Sequence, residues 1–291
     1  MSSDIMPMTE PRPRRQRSQG SGAADAALLF DEPGPRGRIL IAIGSVVAVI
    51  GIAALAAAVL YRLDLAGQLD YPKWRYFLGQ SVVSQLLEAA GTTLTLGGVA
   101  AVLTFPLGIA LGWLRLLDNR PIKWLIGLWI DAMRAVPMLL LVYFFLLVVP
   151  RFATISDFWK LALPIVMCTS ATTAEVFRSG VRALDRGQTE AAWALGMSPS
   201  LTMRLILAPQ ALRLMLPTLI TQMVTIIKGT TLAYVLAYPE LMYRGSTMIG
   251  QAKIDAHLSV FFQTYVIIAV AYVIVNWALG ALARRIEART R

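Results

Sequence analysis

Three groups of residues in this 291-residue chain have the types and spacing to do chemistry, and all lie in long apolar runs. Lys228 stands deep in one run and is followed by Gly229, Thr230 and Thr231. An ammonium held there, away from water, would recognise a carboxylate; the alternative is that it pairs with Glu175 of a neighbouring run. Glu175 and Arg178 are three apart, so on a helix they share a face and can pair with each other. They sit near the end of their run, where long side chains reach water and a structural role suffices. The third group is the hydroxyl stretch Thr169, Ser170, Thr172 and Thr173, which would either line a polar path or join helices. A charge inside a bilayer costs about 2.5–3.5 kcal/mol on insertion scales, so such residues usually face the interior of a bundle.

Much other chemistry is excluded. One cysteine, Cys168, and one histidine, His257, leave no internal disulfide, no thiolate metal site and no histidine cluster. No metal site is therefore expected. No G-x-x-x-x-G-K-[ST] loop is present, so any ATP used is bound by another chain. The net charge of +10 would suggest nucleic acid in a soluble protein, but no basic stripe with interleaved aromatics appears. The chain is 57% apolar and 15% charged, with mean hydropathy +0.62, whereas a soluble domain carries about 25% charge.

The elements that position these groups are apolar segments of about 20 residues, the length of a bilayer span. Six qualify: 39–61, 89–114, 124–149, 161–181, 214–237 and 258–283. They are continuous rather than alternating, which predicts an all-α membrane protein and not a barrel. Pro137, Pro164 and Pro217 are candidate breaks at a pathway. Residues 1–38, rich in Pro, Gly, Ser and Arg, read as a disordered cytoplasmic tail, and 284–291 as a short basic one. With the N-terminus inside, seventeen basic residues fall on the inner segments and seven on the outer, which sets both termini in the cytoplasm. Residues 182–212 are then cytoplasmic as well.

That loop is too patterned for a linker. Asp185 and Gln188 suit a capping box, and a short helix is predicted through 188–195. Gly196 fits the left-handed residue that ends it. Ser198 and Pro199 start a second short helix, expected to stop near Pro209. Ala191 and Ala192, small and exposed beside Glu190, would let another protein's backbone approach. The same pattern would also fit an amphipathic connector lying on the membrane.

Glu190-Ala191-Ala192-Trp193-Ala194-Leu195-Gly196, followed after nine residues by Ile206-Leu207-Ala208-Pro209, resembles the EAA motif of ABC-importer permeases; Ala208 stands where leucine is usual. Ala174–Gly180, Arg186-Gly187-Gln188, Pro209–Arg213 and Ile227–Leu232 resemble the polar amino acid permeases, the histidine, glutamine and glutamate type. Upstream, Gly91–Leu94 and Met133–Pro137 are similar to that family's G-T-x-x-T and F-R-G-T-P stretches. Gly229 stands where the family often has Asp or Asn, and Thr172 where it often has an aromatic.

The resemblance covers about residues 86–283 and implies a five-helix type I importer core, to which the helix at 39–61 is an addition, six spans in all. It implies a bacterial inner-membrane permease subunit that binds no cofactor itself. ATP and magnesium would be used by partner ATPase subunits, which hold the loop at 186–209 through Glu190, Ala191 and Ala192, with Gly196 as hinge. The other implied partners are a second permease, identical or paralogous, and an extracytoplasmic solute-binding protein. The substrate implied is a polar amino acid. Lys228, with Glu175 the only carboxylate deep in the last three spans, favours an acidic or glutamine-like one, along a path including Thr172, Thr173, Thr230 and Thr231. Another small solute is the alternative, and a membrane sensor or scaffold is the reading from a different class.

Overall fold

Inside a bilayer each backbone N–H and C=O must be bonded within its own segment, and a long apolar run achieves this as a helix. The computed structural model describes residues 34–290, with helices and no strand among them. The chain divides into two units, up to Ala66 and from Gly67 onward.

The first unit is one helix, α1 (Pro35–Leu65), with Gly34 before it and Pro35 in its first turn. Helix therefore starts inside the expected tail, because proline at the first turn costs no hydrogen bond. The rest of that tail, residues 1–33, lies outside the described residues. None of the side chains of α1 is buried.

The second unit runs α2 (Tyr71–Arg75), α3 (Gln80–Leu114), α4 (Arg120–Ala135), α5 (Met138–Leu147), α6 (Asp157–Arg182), α7 (Arg186–Ala194), α8 (Pro199–Thr202), α9 (Ala208–Gly229), α10 (Leu241–Asp255) and α11 (Phe261–Thr290). A 3₁₀ turn covers Thr230–Leu236. Helix continues to Thr290, so the basic tail expected from 284 is helical over its described part. α10, in a segment read only as a connection, is capped by the Glu240 side chain, which accepts from the Tyr243 N–H.

α6 is the axis of this unit, packed by α3, α4, α5 and α9. Its approach to α3 rests on Gly108 and Gly112, four residues apart. A Cβ at Gly108 would lie 2.5 Å from Thr173 Cβ, and one at Gly112 2.6 Å from the Ala174 carbonyl oxygen. Lipid tails supply no hydrophobic drive between helices, so close backbone packing by small residues holds them together. The buried hydroxyls of Thr104 and Thr169, 2.8 Å apart, add a bond between the same two helices.

Four helical stretches are long and apolar enough to cross a membrane: Pro35–Leu65, Gln80–Leu114, Pro199–Leu236 and Phe261–Leu282. A fifth candidate is the pair Arg120–Ala135 and Met138–Arg151, bent by 95°. The span expected at 124–149 is thus broken, at Pro137, one of the three candidate breaks. Val136 is extended, as a residue before proline prefers, and Pro137 caps α5. Pro164 and Pro217 lie inside unbroken α6 and α9; membrane helices tolerate proline where neighbouring groups satisfy the freed carbonyl. α6 has 26 residues, about 39 Å at 1.5 Å per residue; its charged residues set it apart from the purely apolar stretches.

Candidate functional site

The first constellation is the loop between α6 and α9. Asp185 accepts from the Gly187 N–H at 2.6 Å and opens α7. The capping-box partner expected at Gln188 serves elsewhere: its Oε1 accepts from Gln210 Nε2 at 3.2 Å, tying α7 to α9. α7 ends in a Schellman turn. The Gly196 N–H donates to the Trp193 carbonyl at 2.9 Å and the Met197 N–H to the Ala192 carbonyl at 3.1 Å. Gly196 has φ +77, and a Cβ there would meet nothing within 4 Å, so backbone conformation alone selects glycine.

Ser198 caps α8 through the Leu201 N–H, with Pro199 in the first turn. The second helix does not stop near Pro209. A π turn at Met203–Leu207 widens the ladder and joins α8 to α9, a device that lets a helix take in an irregularity without ending. Glu190 and Ala191 are exposed, but Ala192 is buried, facing into the fold. The apolar groups that α7 and its turn offer outward are Trp193 and Leu195, 56% and 82% exposed. Their exposure follows from helix phase, which the E-A-A pattern alone did not convey.

The second constellation is a cleft of about 480 Å³ between α4, α6 and α9, lined by Arg134, Thr172, Glu175, Ser179 and Thr218 among others. Glu175 is held by two guanidiniums. Arg178 bonds it at 2.6 Å, and Arg115 from the end of α3 closes on its other oxygen. Arg115 also reaches Asp131 at 3.2 Å. Two cations thus pair directly with Glu175, while Arg134, near enough for its charge to act on that carboxylate, makes no ion pair among the described residues. The cleft can hold a carboxylate. Thr172, in the cleft wall, donates to the Cys168 carbonyl.

The expected pathway residues separate. Thr172 and Glu175 share the cleft. Thr173 and Thr230 are fully buried and donate to carbonyls of their own helical segments, Thr169 and Ile227, as Ser170 does to Met167, while Thr169 bonds across to Thr104. Thr231 donates to the Lys228 carbonyl at 2.8 Å. Lys228 is not a buried ammonium and does not pair with Glu175; it is exposed on α9. It shares a face with Thr225, Thr221, Thr218 and Leu214, at steps of 3, 4, 3 and 4, all exposed. That heptad-like stripe places Lys228 about 15 Å along the helix from Thr218. The period was present in the sequence; which face it occupied was not.

One buried acid was missed. Glu240 is fully buried; beyond capping α10 it accepts from the Tyr272 hydroxyl of α11 at 2.6 Å. Thr93 of α3 accepts from the neighbouring Leu241 N–H at 3.2 Å. Glu175 is therefore not the only carboxylate packed within this part of the fold. Among the described residues no group of His, Cys, Asp and Glu is placed to hold a metal ion.

Residues 104–288 match the family model described as "binding-protein-dependent transport system inner membrane component". The chain is similar to the probable glutamine ABC transporter permease protein GlnP of Bacillus subtilis, 33% identical over 198 residues, 68% of this chain and 89% of the relative. It is also similar to the glutamate transport system permease protein GluD of Corynebacterium glutamicum, 33% identical over 230 residues, 77% and 82% of the two chains. A solved amino acid ABC transporter with histidines shares the fold, with TM-score 0.64, 24% identity, and 72% and 95% of the chains covered.

Proposed function

We infer the function of this chain from the family it belongs to, the inner membrane components of binding-protein-dependent transport systems: it is the permease subunit of an ATP-driven importer. The substrate is a polar amino acid, glutamate- or glutamine-like. The relatives named for glutamine and glutamate support this, as does a cleft where Arg134 makes no direct ion pair among the described residues. Arg134 binds the substrate carboxylate. The hydroxyl oxygens of Thr172 and Thr218 accept from its ammonium, and Lys228 with the threonine stripe of α9 forms the approach.

The chain spans the bacterial inner membrane six times, α6 included, with both termini cytoplasmic. Residues 86–283 are the five-helix core and α1 an added span. Two ATPase subunits, which bind ATP and magnesium, dock on 186–209 through Glu190, Ala191, Trp193 and Leu195, with Ala192 packed behind. A second permease, identical or paralogous, completes the pathway, and an extracytoplasmic binding protein delivers substrate.

The observation that carries the coupling is the unbroken helical path from Pro199 to Leu236. A push on the loop at Ser198 moves the same rod that bears Thr218 and Lys228. Alternating access needs such a rigid lever and a point of flexure, and the turn at Gly196 is that point. Two measurements test the proposal. Uptake of radiolabelled amino acids in cells lacking and regaining this chain should fall and return for glutamate or glutamine. Glu190→Lys should abolish co-purification of the ATPase; an unchanged complex would remove the loop from docking.

A further inference from the structure

On the side of α4 away from the apolar wall that it forms with Leu107 and Met167 lies a second cleft, of about 530 Å³. It is lined by five cations, Arg115, Arg120, Lys123, Arg178 and Arg182, and one carboxylate, Asp131. Arg115 and Arg178 are engaged with Asp131 and Glu175. Arg120, Lys123 and Arg182 make no ion pair among the described residues. All five sit at one end of the bundle: Arg115 follows the last residue of α3, Arg120 is the first of α4, and Arg178 and Arg182 are in the last turns of α6. Uncompensated cations gathered in one concavity raise the local concentration of anions.

We propose that this cleft binds the headgroup phosphate of an anionic phospholipid. The order of groups along α4 selects a lipid over a soluble anion. Along the cleft Arg120 and Lys123 come first, then Trp124, 69% exposed, then Leu128, 53% exposed. The same order, phosphate, ester level, acyl chain, runs along a phospholipid. A tryptophan at headgroup depth is a membrane-interface anchor, whereas a site for a free anion has no use for an exposed tryptophan and leucine in its wall. Basic pockets between membrane helices on the cytoplasmic side suit anionic headgroups; only the sidedness rests on the function proposed above.

The test uses the full transporter complex in nanodiscs of phosphatidylcholine with a minor fraction of phosphatidylglycerol. Lipid co-purified after detergent exchange is counted by native mass spectrometry. The wild type should retain phosphatidylglycerol over phosphatidylcholine. Arg120→Gln, Lys123→Gln and Arg182→Gln together should lower that retention, by roughly fivefold per cation removed. The charge-preserving set Arg120→Lys, Lys123→Arg and Arg182→Lys should keep it, which separates charge from a folding defect. Equal retention of both lipids by the wild type, or undiminished retention by the glutamine set, overturns the proposal. So does displacement of the lipid by millimolar inorganic phosphate, which would mark a soluble-anion site. Lipid bound by the permease alone and lost in the complex also overturns it, since the ATPase would then cover the cleft. The readout is lipid and not uptake, so a failure of the transport assignment does not change it.

Discussion

Replacing Gly196 isolates one physical term. The residue sits at φ +77, and an added Cβ would touch nothing within 4 Å. Steric conflict with the rest of the fold therefore contributes nothing, and what remains is the left-handed backbone, about 1–2 kcal/mol for an L residue. Gly196→Ala should shift the opening equilibrium of the turn by about 5–30-fold. Gly196→Asn should shift it less, because asparagine tolerates this region, and Gly196→Val more, because β-branched residues are outliers there. The bonds at stake are Gly196 N–H to Trp193 and Met197 N–H to Ala192, 2.9 and 3.1 Å. Hydrogen exchange of these two amides in the purified complex reads the change directly. ATP hydrolysed per amino acid imported, measured on the same variants, should rise in the same order as the turn loosens. If valine leaves protection unchanged, or alanine loosens the turn as much as valine does, the left-handed turn is not what glycine supplies.

Gly112→Val should lower the thermal midpoint in detergent, because its Cβ would lie 2.6 Å from a backbone oxygen of α6 and overpacking of this kind costs about 1–3 kcal/mol. Arg134→Gln should raise KM for the imported amino acid by tenfold or more with little change in thermal midpoint, since Arg134 makes no ion pair among the described residues; an unchanged KM would take it out of the pathway. Glu240→Ala removes a cap and takes the acceptor from the half-buried Tyr272 hydroxyl, a loss of about 1–3 kcal/mol. Glu240→Gln, which can still accept one of the two bonds, should lose less, and thermal melts compare the two. Glu175→Leu leaves Arg178 without its carboxylate and should destabilise by about 3 kcal/mol, where Glu175→Gln is milder.

The amino-acid sequence by itself determined the helices, their membrane-spanning length and the local turn chemistry. Long charge-poor runs have one solution in a bilayer, and the turn at Gly196 and the cap at Asp185 depend on residues within six positions of each other. The break at Pro137 was legible for the same reason, since proline restricts its own neighbour.

Tertiary structure decided what faced what. Whether Thr172 or Thr173 meets the cleft depends on where α3 lies against α6, and Gly108 and Gly112 set that. Whether Glu175 or Lys228 meets a partner depends on Arg115, sixty residues before Glu175 in the chain. Glu190 and Ala191 are presented outward while Ala192 is not, because Gln188 bonds to Gln210 and fixes the rotation of α7. The helix expected to end near Pro209 runs on, because a π turn absorbed the proline. Charge and apolar period are properties of single segments. Pairing and facing are properties of two segments at once, and only their packing selects between them.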